Sequence, residues 1–117
     1  MIKSFQDIKV WQKSHELVLK IYKITKQFPE EEKYGLSSQL RRAVVSVASN
    51  IVEGFRRTTL KDRIHFYMIA NGSLEEARYQ ILLSKDLAYI DETKYQDIII
   101  LTEEVSKMLN SWIKVQK

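Results

Sequence analysis

The chain has 117 residues, of which 44% are hydrophobic and 29% are charged, and its formal net charge is +4. This length suits one domain, and the composition is ordinary for a globular protein. The absence of cysteine excludes disulfides and thiolate metal sites. No apolar run approaches the ~20 residues of a membrane span, and the start of the chain lacks the apolar region of a signal peptide. We expect a single domain over residues 1–117, no membrane partner and a cytoplasmic location.

Positive charge is concentrated in the first half of the chain. Residues 1–28 carry +4 (six lysines against two acids), and residues 36–57 carry +3 (four arginines against one acid). Residues 29–35 carry −2 and residues 58–117 carry −1. This asymmetry predicts a one-sided positive surface, a feature of proteins that bind nucleic acid. A lysine-rich face that only keeps the protein in solution fits the same charges equally well.

The first helix is predicted to begin just after the capping residues Ser4 to Asp7 and to end before Pro29. Apolar residues recur in it at steps of three and four: Val10, Trp11, Leu17, Val18, Ile21, Tyr22, Ile24 and Phe28. Four lysines share the opposite side and are candidate nucleic-acid contacts: Lys9, Lys13, Lys20 and Lys23. Pro29 and the acids after it favour a new helix N-terminus, because acids there complement the helix dipole.

The second helix is the least interrupted apolar segment, from Leu36 to Arg57, and Ser37 or Ser38 is expected to cap it. Its core face follows steps of three and four: Leu36, Leu40, Val44, Val47, Ile51 and Phe55. Three more apolar residues widen the arc to roughly 200°, well beyond the ~100° that burial on one side requires. They are Val45, Ala48 and Val52. A monomer is expected to expose these three, which makes them the candidate subunit interface.

Polar residues on the remaining arc of this helix are expected to meet polar and small residues of the third helix. We call this set the polar seam: Arg42, Ser46, Asn50, Glu53, Gly72, Ser73 and Glu76. Paired polar groups between helices specify the packing register, which is the favoured interpretation. A catalytic set is the weaker one, since no histidine is nearby in sequence and neither a phosphate loop nor a nucleophile elbow is present. We therefore expect no enzyme activity.

The third helix is predicted from about Leu60 to Leu87, with a start at Thr59 like that of a capping box. Its core positions alternate by four and three: Tyr67, Ala70, Leu74, Ala77, Ile81, Ser84 and Ala88. The fourth helix follows a cap at Asp91 or Thr93. Its core positions are Tyr95, Ile98, Thr102, Val105, Leu109 and Trp112. Short links between four amphipathic helices predict an all-α, antiparallel up-down-up-down four-helix bundle.

Helix bundles of this kind can hold two iron ions, which requires two Glu-x-x-His motifs. The histidines of this chain, His15 and His65, follow Gln12 and Asp62 at that spacing. At most one weak half-motif exists, so neither a metal nor any other cofactor is expected.

Four basic residues surround the link between the second and third helices: Arg56, Arg57, Lys61 and Arg63. They are candidates for phosphate contacts, because arginine pairs bidentately with phosphate and the start of a helix presents free N–H groups. The alternative is that Glu53 pairs with Arg57 four residues on, while Asp62 offsets Lys61.

Several stretches resemble a bacterial family of four-helix bundle proteins, first noticed in intervening sequences of large-subunit ribosomal RNA genes. They are residues 5–13, 28–29, 34–36, 39–43, 46–54 and 70–76. The resemblance implies a symmetric ring, typically a homopentamer. More distant relatives are accessory proteins that bind RNA and the reverse transcriptase of diversity-generating retroelements. It thus implies a non-enzymatic oligomer with RNA or DNA, and a reverse transcriptase, as partners. The alternative is a purely structural or protein–protein interaction module.

Overall fold

The computed structural model describes residues 1–116, which form four α-helices and two single-turn 3-10 helices. The α-helices are α1 (Lys9–Thr25), α2 (Leu36–Arg56), α3 (Leu60–Asp86) and α4 (Glu92–Gln116). The 3-10 turns, Phe5–Asp7 and Glu30–Glu32, precede α1 and α2. The described residues contain no strand, which confirms the predicted all-α four-helix bundle. None of these helices is long and apolar enough to span a membrane.

The predicted first helix is divided in two near its start. Ser4 Oγ accepts a hydrogen bond from the backbone N–H of Gln6, and the Asp7 carboxylate accepts one from the N–H of Ser4. This reciprocal cap holds a 3-10 turn. Ile8 follows in an extended conformation, with only 1% of its surface exposed, and α1 begins after it. The cap predicted at Ser4 thus starts a short turn rather than the helix itself.

The start of α2 is capped by a residue from the preceding turn. The Glu32 carboxylate accepts a hydrogen bond from the backbone N–H of Leu36 (3.0 Å) and a second from the Tyr89 hydroxyl (2.8 Å). These two bonds, the backbone one foremost, lower the pKa of Glu32, and the bond to Glu32 raises the pKa of Tyr89. The prediction that Ser37 or Ser38 caps α2 is wrong, because both lie inside its first turn.

The other two predicted caps are present. Thr59 Oγ1 accepts a hydrogen bond from the N–H of Asp62 at the start of α3, and Asp91 Oδ1 accepts one from the N–H of Lys94 in α4. Ala88, however, does not belong to the core of α3. It is exposed beyond the end of that helix, with φ of 62°, a left-handed conformation that ends the helix and turns the chain.

All four α-helices contribute to one apolar core. Three polar pairs join α3 to α4: Asn71 with Asn110, Arg78 with Glu103 and Lys85 with Glu92. Residue numbers rise along α3 as they fall along α4, so the two helices run in opposite directions.

The close approach of α2 to α3 requires a glycine. A Cβ atom added to Gly54 would lie 2.4 Å from Cε1 of Tyr67, whose side chain is 1% exposed. Tyr67 therefore packs over the backbone of α2 at a point where any side chain would displace its ring. This contact fixes how α2 is rotated against α3, and with it which residues of α2 face outward.

Candidate nucleic-acid interface

The lysines of α1 do not form one continuous positive face. Nζ of Lys13 lies 2.9 Å from the Glu104 carboxylate, and Nζ of Lys20 lies 2.7 Å from that of Asp97. The hydrogen bond and charge of Glu104 raise the pKa of Lys13. Both lysines therefore bridge α1 to α4 and are offset by acids. The remaining two of the predicted set are exposed and have no ion pair within residues 1–116: Lys9 and Lys23.

The basic cluster at the α2–α3 link is also partly offset. The Glu53 carboxylate lies 2.9 Å from Arg57 and 3.7 Å from Arg56, so it pairs with both guanidinium groups. Arg63 donates from Nε to the backbone carbonyl of Arg57 (2.9 Å), which ties the link to α3. Lys61 is exposed, with no ion pair in the described part of the chain. The pairing of Glu53 with Arg57 is the one proposed as the alternative to phosphate contacts.

Part of the polar seam joins α2 to α3. The hydroxyl oxygens of Ser46 and Ser73 lie 2.8 Å apart, and Asn50 donates from Nδ2 to the backbone carbonyl and the hydroxyl of Ser46. These three residues are partly buried. They form a small hydrogen-bonded cluster across the two helices.

The other seam residues do not meet across α2 and α3 as expected. Gly72 is exposed, and a Cβ added there would meet nothing within 4 Å, so the expectation that α2 meets it is wrong. Glu76 accepts a hydrogen bond from Gln80, which also lies in α3. Glu53 likewise pairs with Arg57 at the end of its own helix, α2. Arg42 is exposed and lines a groove together with Ser46, but within residues 1–116 it makes no hydrogen bond or ion pair with α3 that would join the two helices.

The candidate subunit interface is less exposed than predicted. Ala48 is 9% exposed, which corrects the expectation that a monomer presents all three residues to water. The reason is that Phe5, Trp11 and other residues before α2 line a shallow groove of about 250 Å³ with them. Val45 remains 37% exposed, and Val52 is partly exposed.

A second, larger groove lies between the end of α1 and the start of α2, and we call it the corner groove. Its volume is about 720 Å³, and its lining residues are Tyr22, Lys33, Tyr34, Ser38, Arg41, Arg42, Val45 and Ser46. Three of these side chains are basic and none is acidic. Such a groove concentrates positive charge beside aromatic surface.

Arg41 is held in a fixed position in the corner groove. Its Nε donates to the Thr25 hydroxyl (2.7 Å), a group that donates in turn to the backbone carbonyl of Ile21. The guanidinium carbon lies 4.7 Å from the ring centroid of Tyr22, within cation–π range. Nη2 of Arg41 also donates to the backbone carbonyl of Tyr22 (3.4 Å). Because these contacts order the guanidinium before any ligand binds, its remaining N–H groups are available at a lower entropic cost.

Tyr34 and its neighbours are the accessible part of the groove. Tyr34 is 88% exposed, and the Lys33 ammonium lies 5.6 Å from its ring centroid. Neither Lys33 nor Arg42 has an ion pair within residues 1–116. Sequence reasoning missed this site, although the +3 charge of residues 36–57 contains Arg41 and Arg42.

The histidines have packing roles. His15 stacks on Trp11 with ring centroids 5.0 Å apart and planes 7° apart, and His65 lies edge-on to Phe66. Across residues 1–116 no group of three or more His, Cys, Asp or Glu side chains is arranged to hold a metal ion.

Residues 6–111 match the model of the 23S rRNA-intervening sequence protein family. The chain belongs to this family. It is also similar to the crystal structure of a protein of unknown function from the S23 ribosomal protein family of Bacteroides thetaiotaomicron VPI-5482. The two are 30% identical with a TM-score of 0.83, over 90% of this chain and 95% of that chain. No curated protein matches the chain.

Family membership confirms the resemblance seen in the sequence. The match to the family model covers α1, α2 and α3 entirely and most of α4. Residues of the corner groove, the polar seam and the α2–α3 link all lie inside it.

Proposed function

We propose that this protein is a non-enzymatic, oligomeric helical-bundle protein of the cytoplasm that binds structured RNA through a basic surface. The observation that carries this proposal is the corner groove, where Lys33, Arg41 and Arg42 lie together without an acidic lining residue. RNA backbones carry one negative charge per phosphate, and unpaired cations bind them by releasing counterions. Cations already paired with carboxylates contribute less, which makes the corner groove a better binding surface than the paired α1 lysines, Lys13 and Lys20.

The oligomer in this proposal is supported by apolar residues that the bundle leaves uncovered. Three of them lie on the outer side of α3, where Met68 is 52% exposed, Tyr79 62% and Leu82 39%. Apolar groups gathered on one helix face favour burial against another protein surface. Together with the exposed part of Val45 and Val52, they are the candidate subunit contacts. A pentamer, the count implied by the resemblance, would repeat the +4 charge of each chain around one axis.

The second candidate function is a purely structural or protein-interaction module. The ion pairs that offset Lys13, Lys20 and Arg57 favour it, because much of the formal charge then only stabilises and solvates the surface. In either case a reverse transcriptase is a candidate partner, in the role of an accessory factor.

Binding of an RNA hairpin by the purified protein, measured by fluorescence anisotropy over a range of salt concentrations, tests the proposal. We expect the logarithm of the association constant to fall linearly with the logarithm of salt, with a slope of about −2 to −3 for three phosphate contacts. Absence of binding at low salt would favour the protein-interaction module. Light scattering on the same sample tests the oligomer, since one chain has a mass of 13.8 kDa.

A further inference from the structure

We infer that the corner groove recognises an unpaired nucleotide of the bound RNA, whose base stacks on Tyr34 while its phosphates contact Lys33 and Arg42. The inference rests on the proposed function and adds to it a site and a ligand class, namely single-stranded segments such as hairpin loops. The charge pattern alone does not require a single-stranded ligand, because the phosphates of a duplex bind cations equally well.

The ring of Tyr34 is open to a ligand. With 88% of its surface exposed, the side chain contributes little to the apolar core, and its ring is open to a planar partner. The hydroxyl makes no hydrogen bond within residues 1–116. Aromatic side chains beside cations are the usual means by which proteins bind unpaired bases, since every base has a flat face on which stacking is favourable.

Three cations line the same groove as this ring. Lys33 lies 5.6 Å from the centroid of the Tyr34 ring, and Arg41 is held against the ring of Tyr22. Arg42 follows Arg41 along α2. A nucleotide stacked on Tyr34 would therefore lie in a groove that supplies cations for its flanking phosphates.

The sign of the charge also distinguishes RNA from a second protein chain as the occupant. A protein surface that covered Lys33, Arg41 and Arg42 would have to bring carboxylates to them, since burying unpaired cations is costly. A polyanion with planar bases satisfies both the cations and the exposed tyrosine.

The test compares two RNAs and four proteins. The first RNA is a hairpin with an unpaired loop of about ten nucleotides, a typical length for a single-strand site. The second RNA has the same loop sequence, but a complementary strand pairs with it to form a duplex. The proteins are the wild type, Tyr34→Ala, Tyr34→Trp and the control Ile100→Ala. Ile100 is 64% exposed on α4, does not line the corner groove and is not one of the candidate subunit contacts, so it controls for the loss of a large exposed side chain.

We expect Tyr34→Ala to weaken hairpin binding about tenfold and duplex binding by less than about twofold, because stacking on the unpaired base is lost. Tyr34→Trp is expected to restore hairpin binding, and the fluorescence of the introduced indole is expected to fall as the base stacks on it. Ile100→Ala should bind both RNAs as the wild type does.

Equal loss of hairpin and duplex binding in Tyr34→Ala, or no loss, would overturn the inference and leave the proposed RNA-binding function standing. Failure of the wild type to bind either RNA would overturn both. A lower mass of Tyr34→Ala in light scattering, with unchanged RNA binding, would instead assign the groove to a contact between copies of the chain and overturn the inference.

Discussion

The two sides of helix α1 differ in whether nearby basic side chains are paired with acids. Towards α4, Lys13 and Lys20 end on the carboxylates of Glu104 and Asp97. Towards α2, the corner groove collects basic side chains with no acid among its lining residues. The formal charge of α1 and α2 therefore says little about where an anion would bind. What matters is which cations the fold has already paired, since an offset cation releases fewer counterions on binding a phosphate.

The largest expected effect is a difference in RNA binding between two double variants that each remove two positive charges. Lys33→Gln with Arg42→Gln should weaken hairpin binding by about tenfold or more and make the salt slope shallower by about 1.5. Lys13→Gln with Lys20→Gln is the matched control and should change both quantities much less. Anisotropy titrations at several salt concentrations measure them. Equal losses of RNA affinity in the two variants would show that only the total charge of the protein matters. The contrast between the α4 side and the α2 side of α1 would then be wrong.

Two neighbouring arginines of the corner groove are expected to differ in stability. Arg41→Ala removes a hydrogen bond to Thr25 and the contact with the ring of Tyr22. It should lower the free energy of unfolding by about 1–2 kcal/mol. Arg42→Ala, at an exposed position with no partner in residues 1–116, should change it by less than about 0.5 kcal/mol. Urea denaturation measures both, and similar values for the two would contradict the fixed position of Arg41.

On the other side of α1, each ion pair is expected to contribute little to stability. Both side chains of the Lys20–Asp97 pair are more than a third exposed, at 36% and 62%, so water and salt screen their attraction. A double-mutant cycle with Lys20→Ala and Asp97→Ala should give a coupling free energy of about 0.2–1 kcal/mol that falls with added salt. A salt-insensitive coupling of several kcal/mol would mean that this side of α1 is fixed by its charges rather than by its apolar core.

A smaller effect is expected at the corner itself, where Glu32 caps α2. Because its two hydrogen bonds lower the pKa of Glu32 below the ordinary value of 4.5, the folded state favours the ionised carboxylate. The resulting stabilisation is fully present above pH 4.5 and is lost as the pH falls through the lowered pKa. The melting-temperature gap between the wild type and Glu32→Gln should therefore narrow as the pH falls below 4.5.

Glu30→Gln is the control for this pH series. Glu30 is exposed in the same turn, and its carboxylate makes neither of the two hydrogen bonds of Glu32. The melting-temperature gap between the wild type and Glu30→Gln should therefore not narrow as the pH falls. A gap for Glu32→Gln that stays constant with pH would mean that the charge of Glu32 does not stabilise the start of α2.

The sequence was sufficient for those parts of the fold that depend on neighbours along the chain. Steps of three and four identified the buried positions of α3 from Tyr67 to Ser84 with the exception of Gln80, because a helix repeats its face at that interval. The caps at Thr59 and Asp91 followed from side chains that bond to an N–H three residues on. The same local patterns carried the resemblance to the family, so the four-helix fold was predictable without coordinates.

Only the tertiary structure decided which surface features remain available. Lys20 and Asp97 are 77 residues apart in sequence, and their pairing depends on how α1 and α4 are rotated and aligned. The cap of α2 by Glu32, the burial of Ala48 and the grouping of Tyr34 with Arg41 likewise depend on how separate segments pack. Periodicity gives the inward face of each helix, whereas the partner of an outward side chain is set by the packing of its neighbours.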